Sequence, residues 1–199
     1  MSMFSNKDWT GFPVNPIPRP VADSKYFDAL CEAMAMLSQQ PRAVFMGQSV
    51  SYPGTAMFQT LKDVPMEKRL ELPVFEDTQL GMATGMALVG DLPICIFPRV
   101  NFLLCAINQL VNHLDKLPLY SHGGYNPKVL IRTAVATDKP LDPGVQHLGN
   151  YTEAIHRMLN KVEVFDLWEE DWIVPAYRYA MKSSGSFLLV EHTELYGLS

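Results

Sequence analysis

Leu72-Pro-Val-Phe-Glu-Asp-Thr-Gln-Leu-Gly-Met-Ala-Thr-Gly-Met-Ala-Leu-Val-Gly90 decides how the rest of the chain is read. It reads as a short apolar strand over Leu72–Phe75, then a single carboxylate, Glu76, then a helix of small and apolar residues over Asp77–Val89. Gly81 and Gly85 are four apart, as are Ala83 and Ala87, so each pair shares a helical face. A face without bulky side chains lets another backbone come close. A carboxylate at a strand end, beside such a contact, is well placed to hold a heterocycle in a dry crevice.

The 199 residues suffice for one domain with a real core, and 48% hydrophobic with 19% charged residues is ordinary globular composition. The formal charge of −5 comes without a basic stripe, which argues against nucleic acid. No apolar run has the length of a membrane span, and the start, Met-Ser-Met-Phe-Ser-Asn-Lys, lacks the order of a signal peptide. Cys31, Cys95 and Cys105 sit in apolar segments without metal spacing. They read as reduced core residues of a cytoplasmic protein.

Residues 1–22 carry Pro13, Pro16, Pro18 and Pro20 and read as an extended arm before a domain over 23–199. Ser24 caps a helix through Gln39 that buries Phe27, Leu30, Cys31, Met34 and Leu37. Strands follow at Ala43–Met46, Leu72–Phe75, Leu92–Phe97, Val129–Arg132, Val162–Phe165 and Phe187–Val190. Helices are expected at Asp77–Val89, Phe102–Leu117, Tyr151–Leu159 and Trp172–Lys182. The alternation predicts an α/β fold: three layers, a mostly parallel sheet with helices on both faces. Ligands of such sheets sit beyond the C-terminal strand ends. That rule selects Gly47-Gln48, Glu76, Pro98–Phe102 and the 133–147 loop.

From about Ser24 to Gly197 the chain resembles the pyrimidine-binding domain of transketolase-like thiamine diphosphate enzymes, above all the beta subunit of the 2-oxoacid dehydrogenase decarboxylase component. The landmarks run in order: Phe45-Met-Gly-Gln48, Phe75-Glu76, the Gly81–Gly90 helix, Pro93-Ile-Cys-Ile-Phe-Pro-Arg-Val-Asn-Phe102, Ala106-Ile-Asn-Gln109 with Asn112, Tyr120-Ser-His-Gly-Gly124, Gln146-His147 and Glu191-His-Thr-Glu-Leu-Tyr-Gly197. The resemblance implies that Glu76 stands where the family's catalytic glutamate hydrogen-bonds N1′ of the aminopyrimidine and favours its imino tautomer. Such a group is expected to be buried, with a raised pKa. An acid at a helix start is also an ordinary choice, and adjacent Asp77 fits that ordinary choice better. Phe102 stands at the family's spacing from Glu76 to the aromatic that stacks on the pyrimidine; unaided, it reads equally as a core phenylalanine.

Asn101 and Gln48 complete the implied cofactor contacts, and His147 stands as a second catalytic group, an acid or donor facing substrate. Its loop, counted from Arg132, is two residues longer than the family's, and Leu148 replaces the family's serine. Arg99 is unusual so near the site and reads as a contact either to an acidic substrate or to a partner's carboxylate. His122, where a small residue is usual, reads either as a substrate contact or as a surface histidine. The Gly-Asp-Gly motif and later Asn that hold diphosphate and Mg2+ in the family have no counterpart here. Gly90-Asp91-Leu92 lacks the second glycine, so no residue of this chain is assigned to metal.

The resemblance therefore implies half of a thiamine diphosphate site, completed by a diphosphate-binding alpha-like chain in an α2β2 assembly, with Mg2+ on the partner. The substrate implied is a 2-oxo acid or ketose, and the reaction is carboligation or transketolase-type transfer, or decarboxylation. The family's third domain is expected to be missing after Ser199, which tilts the expectation towards transfer outside a large complex. Two alternatives stand beside this one. The first is a non-catalytic structural or regulatory subunit that keeps the fold. The second, an unrelated nucleotide binder, lacks a glycine-rich phosphate loop after the first strand.

Overall fold

The structure is a computed structural model that describes residues 24–138 and 142–197. The proline-rich arm of residues 1–22 lies outside the described residues. Six strands, β1 Ala43–Gly47, β2 Arg69–Glu71, β3 Leu92–Phe97, β4 Leu130–Val135, β5 Glu163–Asp166 and β6 Phe187–His192, form a sheet in the order β2-β1-β3-β4-β6-β5. Every neighbouring pair is parallel. The helices are α1 Lys25–Ser38, α2 Ala56–Gln59, α3 Glu76–Leu88, α4 Val100–Leu103, α5 Leu117–Tyr120, α6 Thr152–Met158 and α7 Glu170–Lys182.

Strand alternation divides the core in two. Ile94, Ile96, Leu130, Ala134, Phe187 and Leu189 point to the layer holding α1 and α7. Cys95, Phe97, Ile131, Val135, Leu188 and Val190 point to the layer holding α3, α4 and α6. Both faces of the sheet are thus covered; β4 and β6 are buried end to end, and β3 is buried from Pro93 onward. Each fully buried Leu or Phe contributes about 1.5–3 kcal/mol. The exposed Arg157–Glu153 pair contributes about 0.3–0.5 kcal/mol, so burial dominates the fold's stability.

Helix α1 begins as its sequence dictates. The Ser24 hydroxyl accepts the Phe27 N–H at 3.2 Å, and the expected apolar face is buried. Gly47 ends β1 with φ +149°, where an added Cβ would lie 2.3 Å from the Ile96 carbonyl oxygen; only glycine lets β1 and β3 stay this close.

The elements depart from expectation in four places. The second strand is Arg69–Glu71, not Leu72–Phe75. One further ladder bond, Leu72 N–H to the Gly47 carbonyl (2.9 Å), closes it, after which Pro73 has no N–H to donate. Helix α3 starts at Glu76 itself, with Phe75 as its N-cap. The single helix expected over Phe102–Leu117 is instead α4, a 3-10 turn over Leu104–Ala106, a π-helix over Gln109–Leu114 and then α5. Cys105 lies on this segment and is exposed, whereas Cys31 and Cys95 are buried, because the outer side of the segment packs on nothing among the described residues.

Candidate functional site

The C-terminal ends of β1 and β3 are tied to the start of α3 by two amides. Gln48 Nε2 donates to the Pro73 carbonyl (3.1 Å) and to Gln79 Oε1 (2.7 Å). Gln79 Nε2 donates to the Ile96 carbonyl (2.9 Å) and contacts Cys95 Sγ (3.3 Å). Gln48 therefore acts first as a strut. Gln79, buried, is a residue the sequence reading passed over, although a polar side chain one turn after Glu76 on an otherwise apolar helix is a readable signal. Burial pushes the Cys95 thiol up to about 12.

The two acids at the start of α3 divide their tasks. Asp77 Oδ2 accepts from Gln109 Nε2 at 3.3 Å, joining α3 to the π-helix. The Glu76 carboxylate has no hydrogen bond or ion pair among the described residues, and it is only half-buried beside an exposed Phe75. The full burial expected for Glu76 is not reached, since nothing among the described residues covers that side of α3. Gly85, on the same helix, has no atom within 4 Å of where a Cβ would stand; Gly81 meets only the Gln109 side chain, at ordinary contact distance. Neither glycine is required by packing inside the chain.

After β3, Arg99 occupies the N-cap of α4. It is half-buried, has no ion pair or hydrogen bond among the described residues, and burial lowers its pKa. Asn101 and Phe102 follow. Asn101 Nδ2 donates to the Gln146 carbonyl at 2.7 Å, and the Phe102 and His147 rings lie 5.3 Å apart at 58°. The prolines and glycines over Asp138–Asn150 read as a loop, and its described part forms a 3-10 turn at Val145–His147 that brings His147 to this place. Asn101 Oδ1 and His147 Nδ1 are both buried without a partner. Buried polar atoms are rarely left so, which marks this pair as waiting for a ligand group or water.

His122 is not drawn into this group by any contact among the described residues. It is exposed in the turn after α5, with φ +51°. Behind the strand ends lies a buried charge network that the sequence reading also missed. Arg132 on β4 makes a bidentate pair with Glu191 on β6, in part through Nη2 to Oε2 at 2.8 Å. Tyr177 Oη donates to Glu191 Oε1 at 2.7 Å, and Tyr196 Oη donates to Oε2. Burial disfavours the Arg132 charge, but Glu191 outweighs it, so the guanidinium is held protonated above its ordinary range. Burial and the same carboxylate push both phenols up. The pair positions β4 and β6 rather than offering a reactive group. No group of three or more His, Cys, Asp or Glu among the described residues is arranged to hold a metal ion.

The six-stranded parallel sheet with helices on both faces has the fold of the pyrimidine-binding domain of transketolase-like thiamine diphosphate enzymes. A split-gene transketolase, solved as an inactive beta4 tetramer, superposes with a TM-score of 0.64 at 18% identity over 84% of this chain and 51% of that one. A thiamine diphosphate-dependent 4-hydroxybenzoylformate decarboxylase of Rhodococcus jostii RHA1 gives 0.60 at 14% identity, over 84% of this chain and 30% of the other. In sequence the chain is similar to pyruvate dehydrogenase E1 component beta subunits. It is 27% identical to that of Gracilaria tenuistipitata var. liui over 86% of this chain and 54% of the relative. It is 29% identical to the mitochondrial one of Chaetomium thermophilum over 86% and 45%. The chain spans about half the length of the curated relatives it matches. No protein-family model matches it.

Proposed function

We propose that this chain supplies the pyrimidine half of a thiamine diphosphate site in a two-chain enzyme acting on a 2-oxo acid or ketose. One observation carries the reading: Asn101-Phe102 and Gln146-His147, far apart in sequence, meet beyond the strand ends and leave two buried polar atoms without partners. The donor set fits the cofactor. Glu76 has an unengaged carboxylate for a ring nitrogen, and Phe102 offers an aromatic face. Gln48 braces the wall, and Asn101 Oδ1 is a buried acceptor without a partner among the described residues. When bound, the cofactor supplies a nucleophilic carbon and an electron sink for cleavage or joining beside a carbonyl.

The chain's own residues then have defined tasks. Glu76 holds a shared proton at the ring nitrogen; Phe102 orients the ring; His147 donates or accepts at the substrate oxygen through Nδ1. Arg99, desolvated and unpaired, meets the anionic end of a substrate or a partner carboxylate. His122 is available to a substrate only if a partner or a loop carries one to it. The diphosphate and its Mg2+ belong to an alpha-like partner in an α2β2 assembly, and the open glycine face of α3 is the proposed contact. The inactive beta-only assembly of the split-gene transketolase, alike in fold, supports a chain that works only with its partner.

No helix among the described residues is long and apolar enough to cross a membrane. Free, buried Cys31 and Cys95 support a reducing compartment, the cytoplasm in our reading, although relatives include mitochondrial and chloroplastic forms.

The test is co-purification with a chain carrying Gly-Asp-Gly and a later Asn, followed by turnover with and without thiamine diphosphate. Glu76→Ala should lower kcat about 100-fold or more. The second reading, a structural or regulatory subunit, draws on the partial exposure of Glu76; unchanged turnover in Glu76→Ala selects it.

A further inference from the structure

Helix α3 starts without the usual fastening. Phe75 is its N-cap and makes no side-chain cap bond, where Ser, Thr, Asp or Asn would ordinarily hold the first turn. Glu76 follows at once, half-buried, with no bond to its carboxylate among the described residues. The backbone on either side must therefore keep Glu76 in place. Gln79 lies three residues on, on the same helical face. Its N–H closes the first turn onto the Phe75 carbonyl at 3.0 Å. Its side chain is buried, and both of its polar atoms are committed. Nε2 donates to the Ile96 carbonyl at 2.9 Å and contacts Cys95 Sγ at 3.3 Å, and Oε1 accepts from Gln48 Nε2 at 2.7 Å. Gly47 makes the room, since a Cβ there would lie 3.2 Å from Gln79 Nε2.

These contacts have one polarity. A backbone carbonyl only accepts, so Ile96 obliges Gln79 to turn Nε2 towards β3 and Oε1 towards Gln48. Gln48 answers with its own Nε2, which also donates to the Pro73 carbonyl at 3.1 Å. Turning either amide over would set its oxygen against a backbone carbonyl oxygen. Acceptors on β3 and on the segment entering α3 thus fix both ends. We propose that Gln79 is a positioning residue for Glu76: with Gln48 it forms a relay from Ile96 to Pro73 that fixes where the chain enters α3, and so where the carboxylate stands. The consequence for turnover rests on the cofactor reading above; the relay itself does not. A reacting group displaced by about 1 Å can lose about 100-fold in rate, so a partial loosening should cost about tenfold.

The assembled two-chain enzyme and the full chain alone test this together. Gln79→Met keeps the length and removes both side-chain hydrogen bonds. It should lower kcat about tenfold and leave the substrate KM within about twofold. Gln79→Glu, as the neutral acid, still donates to Ile96 and accepts from Gln48. At pH 6 it should hold kcat within about threefold of wild type, then lose it as pH rises and the acid ionises. Gln48→Met, at the half-buried end of the relay, should reproduce the loss, and carries the test if Gln79→Met fails to fold. The double Met variant should lose no more than either single one, since both cut one relay. In the chain alone, hydrogen exchange at 79–81 should rise about fivefold in each single variant. A merely structural amide would lower the melting temperature of Gln79→Met while the folded enzyme kept its kcat, and that result overturns the proposal. So do additive losses in the double variant, and a Gln79→Glu kcat no better than that of Gln79→Met at pH 6. Wild-type turnover without thiamine diphosphate would sink the cofactor reading alone; unchanged exchange at 79–81 overturns the relay in either case.

Discussion

The imidazole of His147 lies 5.3 Å from the ring of Phe102, while Asn101, the residue before that ring, donates to the carbonyl of Gln146, the residue before that imidazole. Two adjacent pairs thus hold a loop onto a helix start. Asn101→Ala should loosen the loop without unfolding the domain. Hydrogen exchange at 144–148 should rise about fivefold, one lost hydrogen bond of about 1 kcal/mol, while the global melting temperature moves little. His147→Gln should leave exchange there near wild type yet lower kcat of the assembled enzyme about 100-fold.

Gly47 and Gly85 should respond in opposite ways. Gly47→Ala drives a methyl into the Ile96 carbonyl and should cost about 3 kcal/mol or prevent folding. Gly85→Ala meets open space in the middle of α3 and should stabilise the isolated chain by about 0.5–1 kcal/mol. If the glycine face receives the partner, the same change weakens co-purification. Urea melts of the chain and pull-down with the partner separate the two effects.

Asp115 is fully buried between the π-helix and the Asn160–Val162 turn. Its Oδ1 accepts three backbone N–H groups at 2.7–3.0 Å, and Lys116 reaches Oδ2 at 2.9 Å. Burial raises the carboxyl pKa, but these donors together outweigh it and hold the group at about 2. The folded pKa is depressed, so the unfolded chain takes up the proton first. The stabilisation, on the order of 2 kcal/mol, is therefore complete above about pH 5 and disappears as pH falls towards 2. Urea midpoints of wild type and Asp115→Asn should converge over that window and stay apart at pH 7.

Removing one side of the Arg132–Glu191 pair strands a buried charge. Arg132→Met or Glu191→Gln should each cost about 3–5 kcal/mol. The double change should cost less than the two summed, because it removes both charges together.

The three thiols should react unequally. In folded protein Cys105 should modify within minutes, while Cys31 and Cys95, buried and pushed up to about 11 and about 12, should modify only on unfolding. Counting free thiols with and without denaturant checks this.

Much of this architecture can be read from the chain alone. Periodicity over residues 25–38 names the buried face of α1, since helical spacing and a serine cap are local. The apolar runs at 92–97 and 187–190 are long enough to declare buried parallel strands. The ordered landmarks point to Glu76, Asn101, Phe102 and His147 before any coordinate is known. Other features depend on what lies across the fold. The edge strand moved to Arg69–Glu71 because its ladder depends on Gly47 of β1, and no sequence pattern carries that register. The π-helix over 109–114 and the outward turn of Cys105 follow from packing on one side only.

The opening stretch shows the same division. Its sequence determined that a carboxylate precedes a small-residue helix, because residue type and spacing are properties of one segment. Only the tertiary structure decided which carboxylate is free. Asp77 is engaged by Gln109, thirty-two residues on, while Glu76 faces a side of α3 that nothing among the described residues covers. Whether a polar group is satisfied depends on atoms brought near by folding, and sequence neighbours do not record them.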